Sequence, residues 1–215
     1  MSVPARPATT TTPRSEGVTA VRRDAGVTVP EGERTVVRVG GVRVGGAGTR
    51  GFGGGFAGRG GSEFGEPEMK AFVRGTRGLA DGLRRALDAL ARYGCAVRIA
   101  LTRFSPVPDT LVGAPLEIHP FLGSGPPAGA VDGSGADLAV HGHAHLETEH
   151  GITSGGMRVR DVAQPVVRRA FAVNRQPVHP DRTTSQEGPN GRCPGRGTTE
   201  SKPVGAAHTA TGVEG

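Results

Sequence analysis

Tryptophan is absent from this 215-residue chain, tyrosine occurs once, and aromatic residues make up only 4% of it. A core built on large interlocking rings is excluded, so the interior must be assembled from Val, Leu, Ile and Ala. Lysine is nearly absent too: only Lys70 and Lys202 are present, so the net charge of +6 rests almost wholly on arginine. Those arginines are spread along Gly-, Ala- and Val-rich sequence and form no clustered basic footprint, so nucleic acid is not an expected partner. Cys95 and Cys193 are the only cysteines, one before an apolar run and the other in a Gly/Pro/Arg stretch. Neither a disulfide framework nor a zinc knuckle follows from them. No apolar run approaches the roughly 20 residues of a membrane span, and residues 1–15 lack the apolar stretch of a signal peptide. A cytoplasmic protein with no membrane partner is the expectation.

Glycine and proline, by contrast, are abundant: 37 and 17 residues, together about a quarter of the chain. Residues 1–17 form a Thr/Pro tract, with threonine at each position from Thr9 to Thr12, and 176–215 are dominated by Pro, Gly, Thr and Arg. Neither offers periodic apolar positions that could offset the entropy of ordering, so both are expected to be disordered tails. One domain over 18–175 remains.

Within it, Val18, Val21 and Ala25 suggest a short helix ending at Gly26, and Val27-Thr28-Val29 suggests a strand before a turn at Pro30 to Glu33. Thr35 to Val39 and Val42 to Val44 are β-branched runs joined by Gly40-Gly41, a hairpin signature. Residues 45–65 are Gly-rich and match neither a dinucleotide fingerprint nor a P-loop, so an irregular loop is expected there. Pro67 suits the first turn of a helix reaching about Tyr93, with Val73, Leu83, Leu87 and Leu90 on one stripe and Gly94 at the stop. Gly75, Gly78 and Gly82 are expected to weaken its middle. Val97 to Leu101 and Asp137 to Val140 read as buried strands, each delivering a polar loop at its C-terminal end. Met157 to Val162 and Val166 to Val173 read as further strands, giving a layered α/β arrangement.

His141, His143 and His145 alternate directly after the second buried strand, and extended backbone would put all three on one side. Converging imidazoles are a plausible ligand set for divalent transition metals. Gly142-His143-Ala144-His145 resembles the G-H-x-H motif of calcineurin-like metallophosphoesterases. Ile99-Ala100-Leu101-Thr102, followed by Phe104-Ser105-Pro106, is similar to that family's preceding block, and the likeness extends through Thr110 to Ser124 and Glu149 to Pro165. The resemblance implies an incomplete, layered metallophosphoesterase-like β-sheet with flanking helices, corresponding to the C-terminal half of a bacterial-type domain. It further implies a metal-dependent hydrolase of phosphoric esters that uses a pair of divalent ions (Mn, Fe, Zn or Mg) on a phosphate-ester substrate, with His143 and His145 as metal ligands. His141 and His150 receive no ligand role from it, although His141 could orient the motif.

The chain departs from the family where the third ligand histidine is expected, which here is Arg103, a permanently charged side chain that cannot ligate a metal. D-x-H, G-D-x-x-D and G-N-H-[DE], which supply the family's remaining ligands and its catalytic histidine, do not occur. No catalytic residue is therefore assigned, and a truncated, catalytically impaired hydrolase is expected. The alternative is a non-catalytic, anion-binding or regulatory remnant in which Arg103 and the His loop hold phosphate. Loss of neighbouring strands would also leave sheet edges and apolar surface exposed.

Overall fold

Two glycines in left-handed backbone, Gly40 and Gly41 with φ of 54° and 82°, turn β1 (Glu33–Val39) into β2 (Val42–Thr49). Positive φ at both central positions gives a turn whose twist matches paired strands, and the seven-residue antiparallel register from Glu33↔Gly48 to Val39↔Val42 follows. The structure, a computed structural model, describes residues 17, 20, 21, 24, 32–145, 148–169, 173–179 and 182. The expected strand at Val27 to Val29, most of the expected helix before it, and nearly all of both tails lie outside these residues.

β2 continues through Thr49, into the stretch expected to be an irregular loop. A Cβ at Gly45 would lie 2.7 Å from Leu90 Cδ2 and 3.0 Å from Cys95 Sγ, so glycine here lets the strand meet the helix rather than breaking the strand. After the small hairpin β3 (Gly55–Phe56) and β4 (Arg59–Gly60), α1 (Pro67–Arg92) runs unbroken for 26 residues through its three glycines. Val73, Thr76, Ala80, Leu83, Leu87 and Leu90 are buried at three- and four-residue steps. Burying each of the leucines contributes about 1.5–3 kcal/mol, enough to outweigh glycine's poor helix propensity. Gly94, at φ 61°, ends the helix. No helix among the described residues is long and apolar enough to cross a membrane.

β5 (Val97–Thr102), β6 (Leu138–His141) and β8 (Arg158–Asp161) extend the sheet, with β7 (His150–Ile152) on its far edge. The six-stranded order is β1-β2-β5-β6-β8-β7; β2, β5, β6 and β8 are parallel and the two edge strands antiparallel. This is an α/β fold on a mixed sheet. Between β5 and β6 lie the short helix α2 (His119–Leu122) and the longer α3 (Pro126–Ser134), neither of them signalled by the sequence. α1 lies against β1, β2 and β5, and α3 lies against α1. Across the parallel strands Ala47, Ala100, Ala139 and Val159 stand in one register row, all buried. Small side chains there let the helices approach the sheet.

Of the expected strand Val166 to Val173, the described residues 166–169 and 173 are not strand, and the rest lies outside the described residues. Gln164–Val167 is a single helical turn, α4, with Pro165 at its start, and Arg168 leaves it in left-handed backbone. The chain then returns across β8 and β6: Arg160 donates to the Val173 carbonyl and the Asn174 side chain, Arg158 bonds Gln176, and Arg182 donates to both carboxylate oxygens of Asp137 at 2.9 and 3.0 Å. Val37 and Val39 on one edge strand and Ile152 on the other are exposed.

Candidate functional site at the strand ends

Parallel strands deliver their connecting loops to one edge of the sheet, and β2, β5 and β6 do so side by side. One pleat beyond the alanine row stand Thr49, paired in register with Thr102, and His141, paired with Asp161. The loops that follow begin at Arg50, Arg103 and Gly142. Arg50 and Arg103 are joined directly, the Arg103 backbone N–H donating to the Arg50 carbonyl at 3.2 Å.

His141 is fully buried at the end of β6. Its Nδ1 lies 2.9 Å from the Gly142 carbonyl, which can only accept, so Nδ1 carries the proton and Nε2 accepts from Thr110 Oγ1 at 2.8 Å. Ser105 Oγ, 2.7 Å from Thr110 Oγ1, completes a chain of hydroxyls behind the ring. Burial pushes the imidazole pKa down to about 4; the Gly142 bond opposes that shift and nearby His143 adds to it. Held neutral with both nitrogens engaged, His141 fixes the start of the loop and is not arranged to ligate a metal.

The alternation expected of the three histidines ends at His141. His143 has φ of 76°, left-handed backbone that is costly for a side chain larger than glycine, so the strand geometry that would have aligned it with His141 is lost. Its ring packs on Phe104 with centroids 4.7 Å apart, and its Nε2 donates to the Phe121 carbonyl at 3.3 Å. His145 is exposed farther along the loop, and His150 sits on β7. Arg103 is exposed, with its guanidinium carbon 5.4 Å from the Phe104 ring centroid, and makes no ion pair among the described residues.

An aromatic cluster that the sequence did not signal surrounds these groups. Phe52 lies 4.9 Å from Phe72 and 6.1 Å from Phe104, ring to ring. Its loop is tied to α2 and the residues that follow: Gly54 N–H donates to the Pro120 carbonyl at 2.7 Å, and Ser124 Oγ donates to the Phe52 carbonyl at 2.7 Å. The rings come from separate segments of the chain, and only the topology brings them together.

A pair of divalent ions needs bridging carboxylate and several further donors. Among the described residues no group of three or more His, Cys, Asp or Glu side chains converges on a metal-sized site. Asp161, the carboxylate nearest in register, is buried beside His141 and accepts from the Ala163 N–H at 2.8 Å. The described donor set therefore does not fit a two-metal centre. No protein-family model matches the chain, and neither a curated protein nor a solved structure matches it.

Proposed function

We propose that the strand-end edge is a phosphate-holding site of metallophosphoesterase type which, in this chain acting alone, binds its ligand without hydrolysing it. The observation that carries the reading is the exposed Arg103 guanidinium at the end of β5, on a backbone bonded to that of Arg50 at the end of the adjacent parallel β2 and next to the His143 loop through Phe104. A guanidinium offers a planar fork of donors suited to phosphate oxygens and keeps its charge at any physiological pH. Parallel-strand ends are also where layered α/β folds gather their ligands. The resemblance of Gly142 to His145 to the phosphoesterase motif supports the same ligand class, because the motif follows β6 and adjoins the loop carrying Arg103. Hydrolysis by a metal pair, with His143 and His145 as ligands, would need carboxylates that the described residues do not bring to this loop.

The test pairs binding with turnover. Purified protein is assayed for metal content, for manganese-stimulated hydrolysis of an aryl phosphate, and for binding of inorganic phosphate, beside Arg103→Ala, Arg103→His and His143→Ala. The reading expects saturable phosphate binding that weakens about tenfold in Arg103→Ala, the loss of one charge-assisted contact, and no turnover in any variant. Manganese-dependent turnover abolished by His143→Ala would overturn the non-hydrolytic part. Absence of phosphate binding would overturn the whole.

A further inference from the structure

We infer that the ligand is an aromatic phosphate ester, its phosphate at Arg103 and its ring against Phe52 and Phe121. This inference rests on the phosphate site argued above and names the rest of the molecule bound there. The chain has seven phenylalanines. Three of them, Phe52, Phe72 and Phe104, gather at this edge through ring contacts, and the His143 bond to the Phe121 carbonyl holds the backbone of a fourth beside them. Phe72 and Phe104 are half-buried, but Phe52 is 42% exposed and Phe121 71% exposed.

The two exposed rings are carried on backbones in a fixed relation. A Cβ at Gly53 would lie 2.1 Å from the Pro120 carbonyl oxygen and 3.5 Å from Phe121 Cα, so the two segments are in direct contact. Hydrogen bonds from Gly54 and Ser124 hold that contact. Phe52 touches Phe104, and Phe104 lies under Arg103. The exposed Phe52 ring beside Phe104, the Arg103 guanidinium over Phe104, and the exposed Phe121 side chain on the adjoining backbone suit a ligand with a flat apolar end and an anionic end. Stacking tolerates any planar ring, so both a nucleobase and a phenyl group meet the requirement. A bare sugar phosphate would use the cation and leave the rings in water.

The experiment is calorimetric titration of the full chain, at fixed low ionic strength, with inorganic phosphate, ribose 5-phosphate, phenyl phosphate and adenosine 5′-monophosphate. Both aromatic esters are expected to bind roughly tenfold more tightly than the two non-aromatic phosphates, within the range that ring stacking contributes. Phe121→Ala, at an exposed position, should erase that gain while leaving inorganic phosphate affinity unchanged; Phe52→Ala should do the same. Arg103→Ala should weaken all four ligands. Should Phe52→Ala fold poorly, broadening or upfield shift of the adenine protons on adding wild-type protein, absent with Phe121→Ala, reads the same contact. Equal affinity for all four phosphates would overturn the aromatic inference and leave the phosphate site standing, whereas no binding of any would remove both. A gain confined to the nucleotide would identify a base, and a gain shared by phenyl phosphate would identify the ring alone.

Discussion

Alanine at position 53 would place a methyl carbon 2.1 Å from the Pro120 carbonyl oxygen and 3.2 Å from its carbonyl carbon. The obstacle is backbone, which cannot rotate away as a side-chain tip can. Reaching an ordinary contact of 3.4 Å requires the Phe52 loop and α2 to separate by about 1 Å. That movement breaks or lengthens the Gly54 bond to Pro120 and strains the neighbouring Gly55 bond to the Gly123 carbonyl, now 3.0 Å. Overpacking of this kind costs about 1–3 kcal/mol and a lost hydrogen bond about 1 kcal/mol, so Gly53→Ala should destabilise the fold by about 2–4 kcal/mol. For a domain of this size the melting temperature should fall by about 5–10 °C. Urea unfolding followed by circular dichroism gives the free energy, and titration with adenosine 5′-monophosphate reports whether Phe52 and Phe121 have been driven apart. A variant as stable as wild type, with unchanged affinity for the nucleotide, would show that the loop and α2 are not in the contact described.

Gly75 lies in α1 with open space where its Cβ would be, so Gly75→Ala should stabilise by about 1 kcal/mol in the same urea assay; no gain would contradict the continuous helix. Leu87 of α1 is completely buried in the core, and Leu87→Ala should cost about 2–5 kcal/mol; a loss below about 1 kcal/mol would contradict the packing. The folded pKa of His141, about 4, lies below the ordinary histidine value of 6.5, so the unfolded chain binds the extra proton first. The stabilising contribution is fully present above about pH 6.5 and is lost as pH falls toward 4, an amount of about 3 kcal/mol. His141→Gln should flatten the fall in stability between those pH values, and an unchanged slope would refute the assignment.

The hairpin and α1 were legible because their signals are local: a Gly-Gly turn between β-branched runs, and apolar residues at helical spacing closed by Gly94. The continuation of β2 beyond Val44 was hidden for a tertiary reason, since the glycines that follow suit a loop equally well until Leu90 and Cys95 are seen pressing on Gly45. α3 carries two prolines and two glycines and no clear apolar stripe, and it owes its form to Val131 and Ala130 packing in the core beside α1. At the site, the sequence marks Arg103 and the histidine loop, and a shared side for the three histidines depends on extended backbone through His145. Nothing in Gly142-His143-Ala144-His145 signals the left-handed turn at His143, which is held by contacts to Phe104 and Phe121 from distant segments. The aromatic cluster was illegible for the same reason.

Calorimetric titration of inorganic phosphate into wild type and Arg103→Ala, with no added metal, tests the strand-end site most directly. The account predicts a saturable isotherm for wild type, weakened about tenfold by loss of the Arg103 guanidinium, with phosphate recovered intact. An isotherm identical in the two proteins, or no binding in either, would contradict it.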